Sequence, residues 1–207
     1  MKKIVCYLCF LVFLMTSCAI SQHVPYDDMS MSFPSIEAKK ITVAVWDQRA
    51  MVVDGSRKEN FVGYMRSASG IPYPMGTQSG RPFITEISRS IVDGFRSNGV
   101  DVYEISTTAH TSREEILSMA KRAHNDYFLL IKCDELHADG YMRHKLLYDL
   151  KLFVFDSNGE QLYYRSYKGK DDMLRGGGFR KYMPATVIAL FEQTISDTDF
   201  LRTLAIK

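Results

Sequence analysis

The sequence has no apolar run long enough to cross a bilayer comfortably. Its longest uncharged apolar stretch is residues 4–15, which directly follows Lys2 and Lys3. A membrane-spanning helix needs about 20 apolar residues, whereas a run of about 7–15 behind a positive start is typical of a secretory signal peptide. The start of the chain therefore predicts export.

The motif Thr16-Ser17-Cys18 ends this stretch, with two small residues directly before a cysteine. It resembles the lipobox of bacterial lipoproteins. The resemblance implies cleavage before Cys18, whose thiol receives a diacylglycerol and whose new amine receives an acyl chain such as palmitate. Ala19, where an aspartate would retain the protein, implies the outer membrane and a domain that faces the periplasm. An uncleaved anchor helix and a secretory signal cut near Ala19 are the alternatives.

Cysteine is scarce in the rest of the chain. Cys6 and Cys9 lie in the predicted signal and Cys18 carries the predicted lipid, so Cys133 alone remains. This excludes an intramolecular disulfide, and the fold must rest on its hydrophobic core. Removing 17 residues from 207 leaves 190, which is enough for one domain of ordinary size.

An excess of charge of one sign is also missing. The chain has 26 Lys and Arg against 24 Asp and Glu, and Lys2 and Lys3 leave with the signal, so the predicted mature chain carries 24 of each. A balanced chain gives no general electrostatic reason to expect nucleic acid as a partner. We predict three units: a signal peptide over 1–17, a lipidated tether over 18–39 and one periplasmic domain over 40–207. Packing of the second half of the tether on the domain is an equal alternative.

Apolar periodicity orders the domain as β-α-β-α-β-β-β-α. The predicted strands are 40–46, 100–105, 127–133, 146–155 and 161–168, and the predicted helices are 82–98, one after the capping-box spacing Thr111-Ser112-Arg113-Glu114, and 182–206 with a break near 196. This order predicts an α+β fold, in which one mixed sheet carries its helices mainly on one face. Ile87, Ile91, Leu130 and Leu152 are the predicted core.

Residues 54–80 form an unusually long connection that is rich in glycine. Its apolar side chains predict an ordered excursion that includes a short hairpin. A connection of this length in a compact domain is often functional, and the sequence indicates no contribution of this one to the hydrophobic core. We therefore place the primary partner contact here, on six residues: Arg57, Lys58, Phe61, Tyr64, Arg66 and Tyr73.

A second candidate surface covers residues 165–181. Six bases outnumber two acids there, and tyrosines lie between them. This composition suits an acidic partner, a glycan or a lipid head group, although a solvated strand and loop is the alternative. Its candidate binding residues are Arg165, Lys168, Lys170, Arg175 and Arg180.

Asp47-Gln48-Arg49 ends the first predicted strand of the domain, and Gly55 follows shortly. This pattern resembles the Asp-x-Arg strand end of the YajG-like lipoproteins. The predicted element order is similar to that of small periplasmic lipoprotein domains, penicillin-binding-protein activator lipoproteins included. The resemblance implies location and fold rather than an activity.

Motifs for catalysis are missing from the sequence. It has no Gly-x-Ser-x-Gly, and the glycines at 176–178 lack the Lys-Ser/Thr of a phosphate loop. Glu135, His137 and Asp139 alternate along a strand, but no second ligand pair has a recognised metal spacing, so a polar solvated hairpin is the better interpretation. Cys133 is predicted to be a buried small hydrophobe. We expect no catalytic residue, metal or cofactor.

The sequence thus predicts a non-enzymatic, membrane-anchored lipoprotein that binds an envelope protein or the cell-wall polymer. An envelope hydrolase or metal-dependent enzyme is the alternative from a different class. A component of a secretion or surface-appendage system is the third hypothesis.

Overall fold

Eight strands in one curled, mixed sheet and five helices make up the part of the chain that the computed structural model describes, which is residues 23–26, 29–141, 143–173 and 179–205. The strands are β1 (His23–Val24), β2 (Lys40–Asp47), β3 (Phe61–Arg66), β4 (Pro72–Thr77), β5 (Asp101–Ile105), β6 (Tyr127–Gly140), β7 (His144–Asp156) and β8 (Gln161–Asp172). The helices are α1 (Ala50–Val53), α2 (Phe83–Ser97), α3 (Arg113–Ala123), α4 (Phe179–Ile195) and α5 (Thr198–Ala205). The predicted α+β class and mixed sheet are confirmed.

Strand β6 organises the sheet. Along one edge its residues 127–133 pair in parallel with β2, and its residues 138–140 pair in parallel with β3. Its other edge pairs with β7 in antiparallel fashion from end to end. Strand β5 lies beyond β2. Beyond β3 lie first β4 and then β1, and β8 lies beyond β7. The sheet therefore forks where β2 ends and β3 takes its place beside β6.

Two apolar clusters cover the two faces of the sheet. The larger one contains side chains of α2, α4 and α5, and Ile87, Ile91 and Leu152 belong to it. The smaller one joins Ile116 of α3 to Leu130 and the neighbouring strands. All four predicted core residues are at most 1% exposed. Burial from both sides explains the nearly continuous apolar sequence of β2.

Residues 29–38 pack on the domain. Met31, Phe33, Ile36 and Ala38 are buried in the larger cluster, and the ring of Phe33 lies 4.9 Å from that of Phe95 on α2. Of the two interpretations of this segment, packing on the domain is the one that the structure supports. Strand β1 is also paired with the sheet, and only four residues lie between Cys18 and the first described residue, His23.

The helix termini differ in detail from the prediction. The capping box of α3 is formed by Ser112 and Glu115, one residue later than predicted, because the hydroxyl of Thr111 instead accepts the N–H of Thr108 at 2.9 Å. The break in the last helical segment is confirmed between α4 and α5. Among the described residues, no helix is long and apolar enough to span a membrane.

Candidate functional site

A buried arginine, Arg49, holds the fork of the sheet. The guanidinium of Arg49 donates two hydrogen bonds of 2.8 Å to the carboxylate of Asp47, at the end of β2. Its other N–H groups donate to the carbonyls of Phe61 (2.6 Å) and Leu136 (3.3 Å), and to that of Glu59 (3.1 Å). All five donors of the side chain are therefore used, and Arg49 is 1% exposed. The Asp47-Gln48-Arg49 motif has a structural role: it joins β2, β3 and β6.

Two segments of the connection over residues 54–80 are strands of the sheet, Phe61–Arg66 and Pro72–Thr77. The predicted hairpin is confirmed as β3 and β4. The expectation that this connection contributes nothing to the hydrophobic core is wrong, because Phe61, Val62 and Met75 are buried in the core. Gly63 faces Ala138 of β6, and the Cβ of any larger residue would lie 2.3 Å from the carbonyl oxygen of Ala138. Phe61, one of the six predicted contact residues, is 3% exposed, so its side chain packs inside the domain.

Beside the hairpin lies an open groove of about 420 Å³, which we call the basic groove. Its lining residues are His23, Ser56, Arg57, Lys58, Asn60, Phe61, Pro74, Met75 and Gly76. The guanidinium of Arg57 lies over the rings of Phe61 (5.8 Å) and Tyr64 (5.3 Å), and its Nε donates to the hydroxyl of Tyr64 at 3.1 Å. None of these lining residues is acidic, so the groove is suited to an anionic group.

The far end of the hairpin carries a different surface, which we call the hairpin tip: Ile71, Tyr73 and Tyr141. Their exposed fractions are 55%, 43% and 43%. Tyr141 follows the end of β6 and its ring lies close to Gly70. Next to these side chains, Arg66 donates two hydrogen bonds to Asp139, at 2.7 and 3.0 Å. These hydrogen bonds hold the pKa of the Asp139 carboxyl below its usual range.

The second predicted surface is divided between two edges of the sheet. On β8, Arg165 is paired with Asp197 and Lys168 with Asp149 (2.8 Å), so much of the expected positive excess is neutralised, while Lys170 is exposed. Arg180 instead lies near the opposite edge, where it donates to Gln78 at 3.5 Å. Arg175 lies outside the described residues, as do the glycines at 176–178 and Cys18.

The position of His137 contradicts the prediction that it lies in a polar solvated hairpin. It lies within β6 and is 9% exposed, with its ring 6.3 Å from the rings of both Phe61 and Tyr64, so the solvated-hairpin interpretation is wrong for this residue. Burial lowers its pKa, against the opposing effect of Glu135. Cys133 is buried as predicted, and burial raises the pKa of its thiol. Within the described ranges, no group of three or more His, Cys, Asp or Glu is placed to hold a metal.

Sequence reasoning missed two residues of the hairpin tip, Ile71 and Tyr141. Each is a large side chain directly after a glycine, Gly70 in the β3–β4 turn and Gly140 at the end of β6. Such positions are usually polar, since turns lie at the surface. A large apolar residue at such a position was therefore the sequence signal that could have identified Ile71 and Tyr141 as surface contact residues.

No protein-family model and no curated protein matches this chain. Among solved structures, the DUF330-family protein XCC0632 from Xanthomonas campestris is similar, with a TM-score of 0.51, 13% identity, and coverage of 84% of this chain and 92% of that chain. PelC from Paraburkholderia phytofirmans, a dodecamer, has a TM-score of 0.44 and 13% identity over 86% of this chain and 96% of that chain. The lipoprotein GNA1162 from Neisseria meningitidis has a TM-score of 0.32 and 15% identity over 79% of this chain and 100% of that chain. The first likeness shows a shared fold, and the other two are weaker.

Proposed function

We propose that this chain is a non-enzymatic lipoprotein of the outer membrane, anchored through Cys18, whose periplasmic domain binds another envelope protein or the cell-wall polymer through the hairpin tip. The observation that carries the binding role is the joint exposure of Ile71, Tyr73 and Tyr141 at one end of the sheet. Large apolar side chains exposed together mark interaction surfaces more often than isolated ones. Tyrosine and arginine are also the residue types that contribute most at protein interfaces.

The tip is held rigid before any partner arrives. Strand β3 pairs with both β4 and β6, and Arg66 is fixed to Asp139. In the turn, the N–H of Ser67 donates to the carbonyl of Ile71 at 3.0 Å, and the N–H of Gly70 donates to that of Ser67 at 2.9 Å. A preformed surface loses little conformational entropy on binding, and this favours affinity.

The anchor is tested by labelling cells with a fatty-acid analogue. We expect the wild-type protein to take up the label and Cys18→Ser to take up none and to accumulate as unprocessed precursor, because the thiol is the acceptor of the lipid. Cys133→Ser is the matched control and should label like the wild type, since Cys133 is buried in the sheet. An unlabelled wild-type protein would contradict the anchor.

The binding surface is tested by placing a photo-crosslinking amino acid at Tyr73 or at Tyr141 in cells. We expect one adduct of the same mass from both positions, because the two side chains lie at one end of the sheet. Tyr103 on β5 is the matched control: it is 55% exposed, but it lies on an edge strand away from β3 and β4. Equal adducts from Tyr103, or none from the tip, would place the contact elsewhere, with the β8 surface as the next candidate.

A further inference from the structure

The fold fixes which part of the domain lies nearest the lipid anchor. β1 is paired with β4, His23 beside Gly76 and Val24 beside Thr77, and the carbonyl of Val24 accepts the N–H of Gln78 at 2.8 Å. His23 therefore has a fixed place on the sheet edge, where it lines the basic groove. Any anchor on Cys18 must reach the domain through this point.

The reach from anchor to domain is short. Four residues lie between Cys18 and His23, so five Cα–Cα steps join them. A fully extended chain spans at most about 3.6 Å per step, so the separation is at most about 18 Å. By comparison, the 14 residues of β6 extend over about 45 Å. Most of the surface therefore lies beyond the anchor's reach, whereas the β1 edge and the basic groove lie within it.

The charge of this edge suits a membrane surface. In the described part of the chain, neither Arg57 nor Lys58 has a carboxylate partner, whereas Arg66, Arg165 and Lys168 are each paired with one. The neighbouring carboxylate of Asp54 accepts the N–H of Ser56 at 2.8 Å and remains negative. Two basic side chains without an ion-pair partner among the described residues thus line the groove beside the anchor point. Basic groups of this kind are attracted to anionic lipids within a Debye length of the surface.

A further base flanks β1. Arg180, at the start of α4, donates to the side chain of Gln78, the residue whose N–H is bonded to Val24. It therefore adds to the positive charge of the β1 edge. Arg180 was predicted as part of one surface with the bases of β8, but the fold brings it to this edge instead.

We propose that the β1 edge rests on the leaflet that holds the acylated Cys18, with Arg57 and Lys58 of the basic groove contacting the phosphates of anionic lipid head groups. This inference rests on the proposed lipidation of Cys18. It orients the domain, because β8 lies five strand spacings from β1, about 24 Å, and faces away from the bilayer. The hairpin tip lies about 17 Å along β4 from Gly76, so a partner held near the same membrane can reach it.

The test uses the full lipidated protein in vesicles of phosphatidylcholine, with or without phosphatidylglycerol. A nitroxide is attached at Pro74→Cys on the groove or at Ser157→Cys in the β7–β8 turn, and its relaxation by a nickel-chelating lipid is measured. Cys133 is buried and Cys18 is acylated, so only the introduced cysteine takes the label. Position 157 lies in the turn that joins β7 to β8, four to five strand spacings and thus about 19–24 Å from the β1 edge. We expect strong relaxation at position 74 and little at 157.

Charge removal then tests the lipid contact itself. In vesicles with phosphatidylglycerol, Arg57→Gln with Lys58→Gln should lower the relaxation at position 74 at least about twofold. The matched control, Lys168→Gln with Lys170→Gln on β8, should leave it unchanged. Equal relaxation at 74 and 157, or no effect of the groove variant, would overturn the proposal. A protein that carries no lipid on Cys18 would instead overturn the proposed function, so the two failures are distinct.

Discussion

Arg49→Met is expected to lower the free energy of unfolding by about 3–5 kcal/mol, which is the usual cost of removing one partner of a buried ion pair. The substitution leaves the carboxylate of Asp47, itself 3% exposed, without its counterion. It also leaves three carbonyls of the fork, those of Glu59, Phe61 and Leu136, without their donor. Urea unfolding of residues 23–207 measures the loss.

Two further variants separate the causes. Arg49→Lys keeps the charge but has three donors on a compact head, so it should restore part of the stability and not all of it. Asp47→Asn combined with Arg49→Met should cost less than the sum of the single changes, because the two side chains form one network. Arg66→Gln, in a half-exposed pair, is the control and should cost far less. A loss for Arg49→Met no larger than that of this control would show that Arg49 does not hold the fork.

The elements that the sequence predicted are those whose apolar pattern is local. The apolar run of β2 and the helical spacing of Ile87 and Ile91 on α2 are complete within one segment. The fork could not be predicted in this way. A lone arginine after a strand is ordinarily solvated, and the burial of Arg49 depends on Leu136, 87 residues further along the chain.

The candidate site shows the same limit. Composition drew attention to a region where Arg57 and Lys58 line a groove and Tyr73 is exposed, and its role in binding stays a prediction. It could not assign the individual roles. Arg66 is held by Asp139, 73 residues away, and Arg180 lies beside Gln78, at a separation of 102. Pairing across such distances decides which charges are compensated, and no local pattern records it.

The segment before β2 was predicted poorly for another reason. Residues 29–38 have no periodicity, because they pack through single side chains rather than through a face. Phe33 enters a space that Gly94 leaves open on α2: a Cβ there would lie 2.6 Å from the Phe33 ring. The absence of a pattern was therefore compatible with a flexible tether. The result matters for the proposed function, since a packed segment shortens the distance from the domain to the proposed anchor at Cys18.

Gly63→Ala is expected to cost about 3 kcal/mol or more, at or above the upper end of the range for overpacking. Gly63 has a φ of +154° and pairs with Ala138 of β6. An added Cβ would lie 2.3 Å from the carbonyl oxygen and 2.7 Å from the nitrogen of Ala138. Both are backbone atoms within a strand that is paired on its other edge, so the clash cannot be relieved by a rotamer change. Strand β3 must move away from β6.

Gly55→Ala is the matched control. Gly55 has a φ of +76° with nothing within 4 Å of an added Cβ, so the change should cost about 1 kcal/mol through backbone conformation alone. Urea unfolding compares the two variants, and hydrogen exchange at the amide of Tyr64 reports the pairing of β3 with β6. Separation of β3 from β6 would also detach Arg66 from Asp139 and disorder the hairpin tip, so Gly63→Ala should lose the crosslink at Tyr73 while Gly55→Ala keeps it. Equal costs for the two substitutions would show that β3 does not approach β6 as closely as the parallel pairing requires.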